Sequence, residues 1–275
     1  MKLLQQASEK LKQAGIDTPE LDARVLLEFV TGKSRTFFIT YPEHEINEKE
    51  QRTFDELIER RIKREPISHI VGNKEFYGRD FAVSSDVLTP RPETELIIDA
   101  AKEYFQLSEK LRVLELGVGS GCIISTLLLE FPGSTGVGVD ISNNALAIAR
   151  QNAYKLGVQG IEFYCSDWTE NIEAQRFDLV VSNPPYIRSE DSKMLEAELG
   201  FEPELALYAG SSGLDAYKKI AKGLGKFSFR YAMFEIGQGQ EAEVEKIFND
   251  NNFKLVAAKK DLAGIVRTLV FRPEE

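Results

Sequence analysis

"RVLELGVGSGCIISTLLLEF", residues 112–131, places a short apolar run, a glycine-rich turn and a longer apolar run in succession. Arg112–Leu116 has strand length and Cys122–Phe131 has helix length, so the stretch reads as strand, turn, helix. The same alternation continues outward. "TGVGVD" (135–140) reads as a strand and "NNALAIARQNAYKLG" (143–157) as a helix; "IEFYC" (161–165) and "FDLVV" (177–181) are two further strands. After an irregular stretch come the helix "LDAYKKIAKGL", the strand "YAMFEI" (231–236), a helix from about Gln240 to Asp250, and closing strands near Lys254–Ala258 and Ile265–Phe271. Strands separated by helices of this length imply an α/β, Rossmann-like fold, with a mostly parallel seven-stranded sheet covered on both faces.

Upstream the period changes. Leu4, Ala7 and Leu11, then Leu21, Val25 and Phe29, then Phe54, Leu57, Ile58 and Ile62 recur at helical spacing, so residues 1–65 are expected to form a small helical domain. Thr18-Pro19-Glu20 predicts a helix start near residue 19, and Asn47 is placed to cap the next helix. "KEFYGRDFAV" carries two aromatic-rich arms around Gly78, which predicts a hairpin within a linker at 66–88. "LTPRPETELIIDAAKEYF" then opens a helix near Pro92, and the α/β domain is expected over 89–275.

The chain has 275 residues, 43% hydrophobic and 28% charged, with a net charge of −10. This is ordinary for a soluble globular protein, and no apolar run reaches the roughly 18 residues of a membrane span, so a cytoplasmic location is expected. The acidic balance supplies no broad attraction for nucleic acid, and "ERRIKRE" (59–65) is read as a solvated helix face. Cys122 and Cys165 lack metal-ligand spacing and sit in apolar segments, so both are expected as buried free thiols, with no metal bound.

In a sheet of this kind ligands bind beyond the carboxyl ends of the strands. "ELGVGSG" after the first strand offers Glu115, Gly117, Gly119 and Gly121. The pattern is G-x-G-x-G with an acidic residue two positions before it, and not the dinucleotide G-x-G-x-x-G. An acidic side chain would repel a pyrophosphate, whereas it can order a loop that holds the amino group of a zwitterion. Asp140 ends the second strand, where a carboxylate can accept both hydroxyls of a ribose. "CSDWTE" ends the third, offering Asp167 to an exocyclic amine and Trp168 as a neighbour for a purine. Amino acid, ribose and purine contacts together describe S-adenosylmethionine.

"SNPPYI" (182–187) closes the fourth strand at the same edge. Proline disfavours the helical region for Asn183, and the two fixed φ angles of Pro184 and Pro185 stiffen the segment. The Asn183 side-chain oxygen and the Pro184 carbonyl are two acceptors matched to the two N–H bonds of a planar NH2 group; Pro185 and Tyr186 complete the element, and Tyr186 can pack on a flat substrate. Such an arrangement orients a weak nitrogen nucleophile and stabilises the charge that develops on it. The chemistry is nitrogen methylation of a planar amine.

At this point the chain resembles the release-factor glutamine methyltransferases (PrmC, also called HemK) over nearly its whole length. The resemblance rests on "LTPRPETE" (88–95), "ELGVGSGCI" (115–123), "SNPPYI", "FEPELAL" (201–207), "GLDAYKKI" (213–220), "FEIGQGQ" (234–240) and "KDLAGIVR" (260–267). It implies a class I methyltransferase domain, S-adenosylmethionine as cofactor, and a helical N-terminal domain that helps dock a class 1 peptide chain release factor. It also implies N5-methylation of the glutamine in that factor's Gly-Gly-Gln loop, with Asn183 and Pro184 holding the amide, Tyr186 walling the pocket and Asp140 on the ribose. The family pattern has Asp where this chain has Glu115 and Thr where it has Val118; the glycines are intact. "PRPETE" is read as closing the cofactor or substrate pocket, and a monomer without a nucleic-acid substrate is expected. Other readings are a glutamine methyltransferase of a ribosomal protein, an adenine or guanine N-methyltransferase of nucleic acid, and a non-catalytic sensor of the cofactor.

Overall fold

A computed structural model describes residues 2–194 and 197–274, which fall into two compact units. The first runs from Lys2 to Asn73 and includes Ala197–Phe201. Its helices are α1 (Lys2–Gln13), α2 (Pro19–Thr31), α3 (Arg35–Thr40), α4 (Glu48–Ile62) and α5 (Ile67–Val71). Pro19 opens α2 as expected. Asn47 caps α4 reciprocally: its Oδ1 accepts from the Glu50 N–H at 3.0 Å and its own N–H donates to Glu50 Oε2 at 2.9 Å. The short α3 and α5 were not legible, because neither is long enough to show a helical period.

One expected stripe lies on the wrong face. Leu21 and Phe29 are exposed, Phe29 by 52%, and α2 packs instead through Ala23, Leu26 and Leu27 against Leu11, Phe54 and Ile58. The winning face carries buried Asp22, which accepts from Arg61 Nε at 2.7 Å while Arg61 Nη2 donates to Glu198 Oε1 at 2.7 Å. A buried charge needs such a partner, and the pairing takes Asp22 and its neighbours inward together.

The second unit begins at Lys74, within a hairpin of β1 (Asn73–Phe76) and β2 (Arg79–Ala82) that turns at Tyr77 and Gly78 with φ of 52° and 72°. A 3₁₀ turn, Pro92–Thr94, leads into α6 (Glu95–Tyr104). Then come β3 (Arg112–Leu116), α7 (Cys122–Glu130), β4 (Thr135–Asp140), α8 (Asn143–Lys155), β5 (Ile161–Cys165) and β6 (Leu179–Ser182). The short α9 (Glu204–Leu207) precedes α10 (Asp215–Leu224), β7 (Tyr231–Glu235), α11 (Glu241–Asn249), β8 (Phe253–Lys260) and β9 (Val266–Pro273).

The sheet order is β5-β4-β3-β6-β7-β9-β8, with β9 antiparallel to both its neighbours and the other pairs parallel. Successive strand residues face opposite layers. Val113, Leu179, Val181, Met233 and Val270 pack with α6, α7 and α8. Leu114, Leu116, Val180, Ala232 and Phe234 pack with α10 and α11. Cys122 is buried, but Cys165 is exposed, which corrects the expectation for the second thiol. It ends β5, which has β4 on one side and no strand on the other, so its side chains are only partly covered. Among the described residues no helix is long and apolar enough to cross a membrane.

Candidate active site at the reversal of strand order

The chain builds outward from β3 through β4 to β5, then restarts at β6 on the other side of β3. A crevice opens beyond the carboxyl ends of the strands at such a reversal. Here it holds a cavity of about 520 Å³, inside the roughly 300–1,000 Å³ usual for small-molecule sites. Ser182 Oγ donates to the Leu116 carbonyl at 2.5 Å, locking the ends of β6 and β3 together beside it.

Glu115, Gly117, Gly119, Asp140, Asp167, Trp168, Asn183 and Pro185 all line this cavity; Gly121, Pro184 and Tyr186 do not. Gly121 serves packing. It precedes α7 at φ +77°, and a Cβ there would stand 3.2 Å from the Ala149 backbone of α8. Glu115 is buried and accepts the Ile124 N–H at 2.9 Å, which ties the glycine turn to the first turn of α7. Burial pushes its carboxyl well above the usual range, against the pull of the Ile124 N–H, and the neighbouring Asp140 pushes it the same way.

Asp140 accepts from the Gly119 N–H through Oδ2 and from the Ser142 N–H through Oδ1, each at 2.9 Å. Helix capping falls to Ser142, whose hydroxyl accepts the Ala145 N–H at 3.2 Å. A carboxylate offers about four acceptor positions, so Asp140 keeps acceptor capacity that a vicinal diol can use. Burial raises its pKa, opposed by these N–H bonds. Asp167 Oδ2 accepts from Lys219 Nζ at 2.8 Å at the rim. Trp168 is held at φ +52°, a region few aromatic residues enter. The set fits an adenosine bearing a zwitterion: acceptors for ribose, a carboxylate and an indole for the base, and a glycine turn for the amino acid.

Asn183 lies just beyond β6. Its Nδ2 donates to Thr94 Oγ1 at 3.0 Å, while its Oδ1 is buried and has no hydrogen-bond partner among the described residues. Thr94 in turn donates to Glu235 Oε2 at 2.5 Å, at the end of β7. Burial pushes the Glu235 carboxyl up to about 7, against the Thr94 hydrogen bond. Tyr186 turns toward the same carboxylate, its hydroxyl donating to Glu235 Oε1 at 3.4 Å.

Several of these residues escaped the sequence reading. Thr94 lies in "PRPETE", read as closing the pocket without Thr94 being singled out, and Glu235 lies in "FEIGQGQ", which carried the resemblance without a role of its own. Gln240 Nε2 donates to the Tyr186 carbonyl at 3.1 Å. Gly213 lets the chain pass that carbonyl, since a Cβ would stand 2.4 Å from it. Pro90, Arg91 and Thr94 form part of the cavity wall, and Arg91 Nη2 donates to buried Glu202 at 2.6 Å, next to the wall residue Pro203. Among the described residues no group of three or more His, Cys, Asp or Glu is placed to hold a metal ion.

Residues 2–72 match the PrmC N-terminal domain, and residues 93–199 match the methyltransferase small domain, which takes in β3 to β6 and Asn183. The release factor glutamine methyltransferase of Caulobacter vibrioides is 42% identical over 261 residues, covering 94% of this chain and 90% of that one. The chain belongs to the release factor glutamine methyltransferase family. The glycine turn, Asp140 and Asn183 all stand in the part of the chain that matches the methyltransferase small domain. A bifunctional methyltransferase of Rickettsia felis is 38% identical over 302 residues; the match covers 98% of this chain but only 57% of that protein's length. A solved methyltransferase from Pyrococcus furiosus shares the fold, with a TM-score of 0.54 at 14% identity, over 74% of this chain and 92% of that one.

Proposed function

We propose that this chain transfers the methyl group of S-adenosylmethionine to N5 of the glutamine in the Gly-Gly-Gln motif of peptide chain release factors. The observation that carries the reading is the buried, unpartnered Oδ1 of Asn183 on a residue lining the same cavity as Asp140. An unsatisfied buried acceptor costs about 1–3 kcal/mol, so a chain that keeps one at a ligand cavity has a donor to meet there. The names of relatives at 42% identity supply the substrate class.

When bound, S-adenosylmethionine supplies an electrophilic methyl on a sulfonium. Asp140 accepts the ribose hydroxyls, Asp167 and Trp168 flank the adenine, and the turn from Glu115 through Gly117 and Gly119 takes the amino-acid end. Asn183 Oδ1, at the cavity wall, accepts an amide proton of the glutamine, orienting its nitrogen and stabilising the positive charge that grows on it during attack. No strong base is required before transfer, because the methylated nitrogen becomes acidic and sheds its proton. Pro185 and Tyr186 keep this segment rigid and bound the amide. The helical unit, with exposed Leu21, Phe29, Ile39 and Tyr41, offers apolar surface to the body of the release factor.

The test is competitive. The enzyme is given labelled S-adenosylmethionine with unmethylated release factor, ribosomal proteins and ribosomal RNA together. Label in the release factor is expected; label confined to RNA or to a ribosomal protein overturns the proposal.

A further inference from the structure

We propose that Thr94 and Glu235 are positioning residues that fix which way round the Asn183 carboxamide stands, and so which of its two polar atoms meets the substrate. This rests on the methyl-transfer reading of the cavity. The three side chains come from separate segments: Thr94 from the 3₁₀ turn, Asn183 from the end of β6 and Glu235 from the end of β7. Thr94 is 1% exposed and Glu235 2%, so water does not compete for these bonds.

An ionised carboxylate only accepts, and a hydroxyl has one proton. With Thr94 Oγ1 2.5 Å from Glu235 Oε2, that proton is committed to the carboxylate. Thr94 can then only accept from Asn183, so the amide must present Nδ2 to it, as the 3.0 Å contact has it. Oδ1 is thereby left for the substrate. The reversed amide would set the Asn183 oxygen against a hydroxyl whose one proton already points to Glu235, and would turn an NH2 toward the NH2 of the incoming glutamine.

A proton on Glu235 removes the constraint. The neutral carboxyl can donate to Thr94, whose own proton then becomes available to Asn183 Oδ1, and the polarity of the chain reverses. The carboxyl titrates near neutrality, at about 7. Burial raises it most; the Glu93 charge adds to this, while Arg267 on β9 and the Thr94 and Tyr186 hydroxyls oppose it. From α10, Tyr217 donates to the Glu235 backbone carbonyl at 2.8 Å and not to its carboxyl.

The experiment has two readouts. In the protein without any cofactor, the Asn183 side-chain NH2 signals, assigned by their loss in Asn183→Asp, are followed by NMR against pH. They should shift with a midpoint near 7 in the wild type and show no such midpoint in Glu235→Gln. In turnover, Thr94→Val should lose roughly tenfold to hundredfold while calorimetric affinity for S-adenosylmethionine stays within about twofold of wild type. Thr94→Ser should recover most of that loss. Glu235→Gln should flatten the rise of turnover with pH that the wild type shows. Full turnover in Thr94→Val, or variants that lose cofactor affinity in step with turnover, would overturn the proposal, as would an Asn183 amide indifferent to pH. A wild type that methylates nothing would count against the methyl-transfer reading instead, and the NMR titration would still decide the relay.

Discussion

Asp140 meets two backbone N–H groups of its own chain, so it orders the glycine turn as well as offering acceptors to a ligand. Asp140→Ala is expected to weaken S-adenosylmethionine binding by about 1–3 kcal/mol, because ribose hydroxyls lose a charged acceptor; calorimetric titration measures this. Its pKa is raised by burial, and the ionised form is the acceptor, so affinity should fall as pH drops through that raised value, earlier than for an ordinary Asp. Asn183→Ala should keep cofactor affinity and lose at least roughly a hundredfold in turnover, the scale of one preorganised contact to the transition state. Equal losses in binding and turnover would mark Asn183 as structural. Both residues were legible because each closes a strand that the hydrophobic pattern already located. Thr94 and Glu235 were not, since their relation to Asn183 exists only where three distant segments converge. No spacing in the chain records it.

At the scale of elements, every strand of the large sheet was legible, and β3, β4 and β5 fell on the expected residues, because each is a short run rich in apolar residues set between turns and helices. The misread α2 face shows the limit. Leu21, Val25 and Phe29 make a plausible stripe, but the Asp22–Arg61 pair decides which side turns inward. Gly213 lets two segments of the site pass closely. At φ +72°, with the Tyr186 carbonyl 2.4 Å from a built Cβ, Gly213→Ala should destabilise the fold by about 1–3 kcal/mol in urea unfolding. It should also depress turnover by displacing the segment after β6. Glu235 at the end of β7 imposes a cost of the opposite kind. Its carboxyl is raised from 4.5 to about 7 in the folded chain. The neutral form is therefore favoured on folding, a contribution present below pH 4.5 and lost as pH rises through about 7. Glu235→Gln should match the wild type in stability at low pH and exceed it by up to about 3 kcal/mol at about pH 8, measured by denaturant titration at both values. The same change that stabilises the fold should impair turnover.

For the molecule as a whole, the change of hydrophobic period upstream of the sheet separated a helical region from an α/β region. The inclusion of Ala197–Phe201 in the helical unit was invisible, because that return depends on Glu198 reaching Arg61 across 137 positions of sequence. On the proposed function the two units divide the work: the cavity takes the glutamine, and the helical unit supplies binding energy that a small loop lacks. Flanking glycines let the loop backbone approach the cavity edge without side-chain clashes. The most direct measurement is peptide mass spectrometry of release factor and of a short Gly-Gly-Gln peptide, each incubated with enzyme and S-adenosylmethionine. One added methyl on the side-chain nitrogen of that glutamine in the full-length factor, with the short peptide a much poorer substrate, is the predicted result. A release factor left unmodified while duplex DNA or ribosomal RNA gains the methyl group would contradict it.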